Sequence, residues 1–249
     1  MITKNLFPVK SMLGALTVTM AIFNSGCEDV TCFNVGGSVV DRDYWMDDLH
    51  SIEMHCEGSI FLSQGESQAI VLRSDEHLYK VLQFHMTNGK MRMDFTEDCV
   101  KDIGTFELYI TTPLPIQDLT INSSGTITAS DSLNAPDLSV NITGSGGVTL
   151  SEVYTNSMNL EIVGSGNILV ASPDTVGSSV NEVSGSGTIH TFNTIVNDAD
   201  VNISGSGNIE VHATDTLHGT ISGSGNVRYR GFPGIDVSVT GSGDVIEAN

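Results

Sequence analysis

The sequence predicts an all-β chain: a right-handed parallel β-helix or β-solenoid of about seven Gly-Ser-Gly coils, preceded by irregular β coils. Three observations predict it. The phrase apolar-x-apolar-x-Gly-Ser-Gly-x-apolar recurs with its second glycine at Gly125, Gly146, Gly166, Gly187, Gly207, Gly225 and Gly243, in steps of 21, 20, 21, 20, 18 and 18 residues. A fixed period of this length marks stacked units that bury their apolar faces only against each other. The flanking columns alternate apolar and polar: Ile127, Val148 and Ile168 two residues after the glycine, Ile142, Ile162 and Val183 four before it. Alternation carried by β-branched residues signals strands. Finally, the repeat is too short for a strand-helix unit and suits a coil of short strands. Its glycines mark corners, where a missing Cβ permits positive φ or close backbone approach.

From the amino terminus, residues 1–26 read as a secretory signal, with Lys4 and Lys10 ahead of an apolar run from Met12 to Phe23. That run is short for a transmembrane helix. Ser25-Gly26 before Cys27 is similar to a bacterial lipobox, although Asn24 departs from the usual leucine-like residue. This predicts lipidation at Cys27, with an ordinary cleaved signal or an uncleaved anchor as the alternatives. Residues 27–37 form the tether, and Glu28-Asp29 suits either a surface-export signal or a solvated linker.

Residues 38–112 carry a fainter copy of the repeat. Ile52 to Ile60 has the same grammar, with Cys56 in the column of the first glycine. Leu82 to Met91 reads as another degenerate copy with an inserted loop, while Met91 to Phe95 and Phe106 to Ile110 alternate cleanly. Residues 113–249 hold the regular solenoid, with a possible boundary at Thr112-Pro113 inside one continuous β structure. In its first coil Ser123 replaces the first glycine, which predicts a strained or modified coil there.

Behind an export signal the compartment is oxidising, and Cys32, Cys56 and Cys99 allow one disulfide and one free thiol. Cys56 sits inside a strand pattern, so Cys32–Cys99 is the expected bridge. It would close a loop of about 68 residues and contribute about 3–4 kcal/mol on the chain-entropy account.

Charge excludes whole classes of function. The net charge is −20, and it becomes −22 once the two positive charges of Lys4 and Lys10 leave with the signal. No Lys or Arg occurs between Lys101 and Arg228. Nucleic-acid binding needs a basic footprint that this chain lacks, and membrane attachment is expected through the lipid alone. Catalysis has little to work with. The serines of seven equivalent turns lack a nucleophile elbow, and Gly144 to Gly147 lacks the spacing of a dinucleotide fingerprint. The repeat also offers no concentrated carboxylate pair for glycoside hydrolysis. Glu210 and Arg228 share a column one coil apart and read as a surface ion pair, whereas His190 and His212 read as isolated. No metal or cofactor is expected. The acidic groups Asp41, Asp43, Asp47, Asp48 and Asp94, Glu97, Asp98, Asp102 lack the ligand spacing of a calcium loop.

Three kinds of candidate surface residue remain. Asn167, Asn208 and Asn226 form a column that reads as a stabilising amide ladder or as a carbohydrate-facing row. Ser132, Thr175 and Thr216 each follow an aspartate and precede an aliphatic residue, in stretches read as exposed loops between repeats. That pattern is similar to an O-glycosylation acceptor of exported Bacteroidota proteins. Tyr44-Trp45 reads as either a binding platform or a local core plug.

Together, the Ile52–Ile60 phrase, the Ile110-Thr-Thr-Pro113 lead-in and the repeats ending in Gly241-Ser242-Gly243-Asp244-Val245 resemble the auto-transporter adhesin family with a head GIN domain, over about residues 38–247. The resemblance implies a β-solenoid on an exported, often lipid-anchored protein of the outer membrane and cell surface. It implies adhesion to an unknown glycan or protein partner, and it supplies no catalytic residue. A periplasm-facing structural component is the alternative, followed by a polysaccharide-active enzyme.

Overall fold

The computed structural model describes residues 32–46 and 48–249, so the signal, Cys27 and Asp47 lie outside the described residues. Apart from one 3₁₀ turn at Leu78–Lys80, the regular elements among the described residues are strands. From Asp118 onward they stack as the parallel coils the repeat predicts.

Each coil contributes to two parallel ladders. The first runs through Asp118–Ile121, Asp137–Gly144, Ser157–Gly164 and Val176–Gly185. It continues in the second halves of Thr188–Gly205 and Asn208–Gly223 and ends at Gly234–Gly241. The second runs through Thr126–Asn134, Gly147–Tyr154 and Asn167–Val170, then the first halves of the two long strands, then Asn226–Arg230 and Val245–Glu247. Register follows the repeat: Ile142 pairs with Ile162, Ile162 with Val183, Val183 with Ile203, and Ile203 with Ile221. These residues are buried, as are Ile168, Ile189, Ile209 and Val227 of the other ladder. Successive strand side chains point to opposite faces, so the alternation puts every branched column inside.

The corners explain the glycines. The first glycine of each regular turn adopts positive φ, as at Gly185 (131°). The second lies against the preceding coil: a Cβ on Gly187 would stand 2.6 Å from both Gly166 O and Ile162 Cγ2. Between them, Ser186 N–H donates to Gly164 O at 2.8 Å, and Ser206, Ser224 and Ser242 make the same bond to the coil before them. The first coil is modified rather than strained. Ser123 keeps its backbone out of the left-handed region. Its hydroxyl donates to Cys56 O at 2.9 Å and accepts from Gly125 N at 3.2 Å, so a side chain closes the turn that a glycine closes elsewhere.

The amino-terminal part departs from chain order. Strand Ser51–Met54 pairs with Asp118–Ile121 on one side and Lys90–Phe95 on the other. Ser59–Gln64 likewise lies between Thr126–Asn134 and Phe106–Thr112. The coil at residues 51–64 therefore sits between coils that come later in sequence, and the chain steps over it after Thr112. Side chains pin that crossing. Thr112 Oγ1 donates to Leu49 O at 2.9 Å, Gln64 Nε2 donates to Leu114 O at 3.1 Å, and Gln64 Oε1 accepts from Asn134 N at 2.7 Å. Both ladders cross residue 113 without interruption.

Leu82–Thr87 is no degenerate coil but the antiparallel partner of Lys90–Phe95. Asn88 (φ 49°) and Gly89 (φ 72°) turn the hairpin, as an Asn-Gly pair does when both central residues need positive φ. Val39–Tyr44 and Ala69–Asp75 pair antiparallel beside Phe106–Thr112. Cys32 and Cys99 are bridged, with Cα atoms 4.7 Å apart, and the bridge adjoins a short parallel pair, Phe33–Asn34 with Val100–Lys101.

Gly187→Ala should lower unfolding stability by about 1–3 kcal/mol, because backbone lies where the methyl must go. Gly147, with no atom closer than 3.8 Å to its would-be Cβ and no positive φ, is the control. Gly147→Ala should stay within about 0.5 kcal/mol of the parent in urea titrations.

Candidate functional site

The outer side of the second ladder carries parallel rows of outward side chains, one row for every second strand position. One row contains Thr126, Gly147, Asn167, Thr188, Asn208 and Asn226. Asn208 Oδ1 accepts Asn226 N at 3.2 Å, and Asn226 Oδ1 accepts Asp244 N at 3.0 Å. These two amides therefore bind the backbone of the next coil, while Asn167 is exposed.

The neighbouring row runs Tyr109, Phe61, Thr128, Thr149, Leu169, His190, Glu210, Arg228. At one end His190 is not isolated: its Nδ1 lies 2.8 Å from Glu210 Oε2, while Arg228 Nη1 donates to Glu210 Oε1 at 3.3 Å. Arg230 covers the Phe192 ring at 4.3 Å. At the other end Phe61 and Tyr109 stack with centroids 5.0 Å apart and planes 18° from parallel. Tyr109 Oη donates to Glu107 Oε2 at 2.9 Å, and this bond to a carboxylate raises its pKa above the ordinary value. The same arrangement with Glu152 raises that of Tyr154.

Sequence reasoning passed over Phe61 and Tyr109. Their signal was available, since each aromatic occupies the polar phase of an alternating strand, between Ile60 and Leu62 and between Leu108 and Ile110. Trp45 is 81% exposed and plugs no core, while its neighbour Tyr44 packs on Phe84 at 4.8 Å.

Ser132, Thr175 and Thr216 are all exposed, but Ser132 and Thr216 lie in strands rather than loops. They stand beside register shifts, which turn consecutive residues outward. Thr216 Oγ1 donates to Asp198 Oδ1 at 2.6 Å.

Among the described residues, no three His, Cys, Asp or Glu side chains gather to hold a metal. His55 Nε2 lies 2.5 Å from Glu53 Oε1, whereas His50 turns to Ser51 at 3.0 Å. Ser51 Oγ donates to Asp118 Oδ2 at 3.1 Å. In this trio the carboxylate holds the serine and not the imidazole, and Ser51 is 1% exposed, so no activated nucleophile results.

Among the described residues, then, the coil stack presents continuous outward rows in which polar side chains alternate with a few aromatic and aliphatic ones. The chain belongs to the family described as "putative auto-transporter adhesin, head GIN domain", whose profile matches residues 48–233. No curated protein matches it by sequence. Among solved structures it is similar to a "putative adhesin" of Bacteroides fragilis, with TM-score 0.81 and 19% identity over 87% of this chain and 100% of the other. It is also similar to a "putative lipid binding protein" of Parabacteroides distasonis, with TM-score 0.73 and 22% identity over 87% and 99% of the two chains. A "putative adhesin" of Parabacteroides merdae gives TM-score 0.71 and 22% identity over 88% and 100%. At these identities the likeness establishes the shared fold.

Cys56 is free and buried in the column of the first glycine. Burial, and then the Asp94 charge, push its thiol up from 9.0 to about 12. In that window the unfolded thiol ionises while the native one stays protonated, so stability should fall as pH rises from 9.0 towards 12. Cys56→Val should flatten part of that fall in melts across the same range.

Proposed function

We propose that the protein is a non-enzymatic lipoprotein of the outer membrane that displays its solenoid at the cell surface as an adhesin. The observation that carries this reading is the set of continuous, mostly polar outward rows on the coil stack, in a family named for adhesion. The strongly acidic composition keeps such a face from nonspecific contact with nucleic acid or anionic lipid. Cys27 is the proposed attachment point, and the short acidic tether that follows it suits export. Ser132, Thr175 and Thr216 are proposed glycan acceptors, supported by their exposure. The partner is a glycan or protein on another surface, and no cofactor is required.

Protease shaving of intact cells, with lysate as control, tests the placement. The reading expects the chain to be lost from whole cells; protection in intact cells with digestion in lysate would turn it into a periplasmic component.

A further inference from the structure

The outward row that carries Phe61 and Tyr109 changes height abruptly. The two aromatics are followed by two small residues, Thr128 and Thr149, before Leu169 and His190 rise again. Phe61 and Tyr109 are 38% and 41% exposed, so neither is a core residue. Beside the pair opens a cleft of about 270 Å³, lined by Phe61, Tyr109, Ser63, Thr128, Ser130 and Asp131. The register shift between Ala129 and Ser132 builds its far wall, because it leaves Ser130 and Asp131 both exposed where strict alternation would bury one. Ser63 Oγ is tied to Thr111 Oγ1 at 2.9 Å, which holds one hydroxyl of the lining in place.

We propose that this cleft binds a neutral pyranose residue of a glycan. The inference rests on the adhesin reading and names its ligand class. A sugar ring presents an apolar face of C–H groups and an edge of hydroxyls. The aromatic pair offers electron-rich surface to the former. Thr128, Ser130 and Asp131 offer hydroxyl and carboxylate partners to the latter. Charge selects neutrality. Asp131 repels a carboxylate, the strands on the Thr128 side contain no Lys or Arg before Arg228, and Arg73 on the other side is engaged with Glu107 at 4.0 Å. Stacking between Phe61 and Tyr109 holds both rings upright before any ligand arrives, which lowers the ordering cost of binding.

Saturation-transfer NMR on the full chain tests this, using methyl α-mannoside, methyl β-galactoside, methyl β-glucoside and N-acetylglucosamine, with glucuronate as the acidic control. At least one neutral probe should receive transfer, and its apparent affinity should drop about tenfold in Phe61→Ala. Thr128→Trp fills the cleft while keeping the ring pair, so it should abolish transfer without lowering the melting temperature. Arg228→Ala, at the far end of the same row, should leave binding unchanged. No transfer to any neutral probe, or transfer indifferent to both Phe61→Ala and Thr128→Trp, would overturn the site. Shaving separates the two claims: a surface-exposed chain without sugar binding keeps the adhesin reading and loses this cleft, and sugar binding by a shielded chain does the reverse.

Discussion

The structure depends on how closely one coil can lie on the next at its corner. In the turns of Ser165, Ser186, Ser206, Ser224 and Ser242 the serine N–H reaches a glycine carbonyl of the preceding coil at 2.8 Å. That bond holds the corner at the strand spacing of the ladders beside it, so the turn belongs to the sheet instead of bulging from it. Such closeness leaves no room for a Cβ at the second glycine, and the direction of the chain demands positive φ at the first. Once the corners are in register, the branched columns fall on one another and the core follows. Asn181 shows how firmly register rules. It pairs with Leu160 and Val201 in an inward column and is fully buried, with Nδ2 donating to Ser179 Oγ at 2.7 Å.

A stack of parallel strands leaves unpaired edges, and the amino-terminal region manages one of them. The hairpin at Asn88-Gly89 and the antiparallel strands Val39–Tyr44 and Ala69–Asp75 cover the ladders there, and the disulfide holds Cys99 to the start of the described chain. Inserting the coil at residues 51–64 between later coils ties this cap to the repeats through contacts distant in sequence. Such pairing is slow to form, and it makes the two parts one structure. At the opposite end Ile235 and Val239, inward by register, are 48% and 41% exposed because no described coil covers them.

Much of this was legible beforehand because the repeat is a physical statement. The alternation identifies strands, the glycines identify corners, and Cys56 was placed in its correct column by comparing one phrase with its copies. The Cys32–Cys99 bridge followed from leaving the strand cysteine out. What stayed hidden concerns partners distant in sequence. Nothing local states that the coil of Ser51 lies between those of Lys90 and Asp118, and the hairpin at Asn88-Gly89 was masked by its likeness to a repeat. His190 looked isolated because its partner, Glu210, lies one coil on. The site residues were missed for a related reason: Phe61 and Tyr109 each stand in the polar phase of their strands, but they become one surface only when register stacks them.

Hydrogen exchange followed by mass spectrometry, resolved to the corner amides, tests the central claim most directly. If corner bonds set the register, the amides of Ser186, Ser206 and Ser224 should exchange as slowly as those of Ile189 and Ile209 inside the strands and open with them cooperatively. Corner amides exchanging like exposed turns, while the strands stay protected, would mean that side-chain packing holds the coils in register and that the corners merely follow.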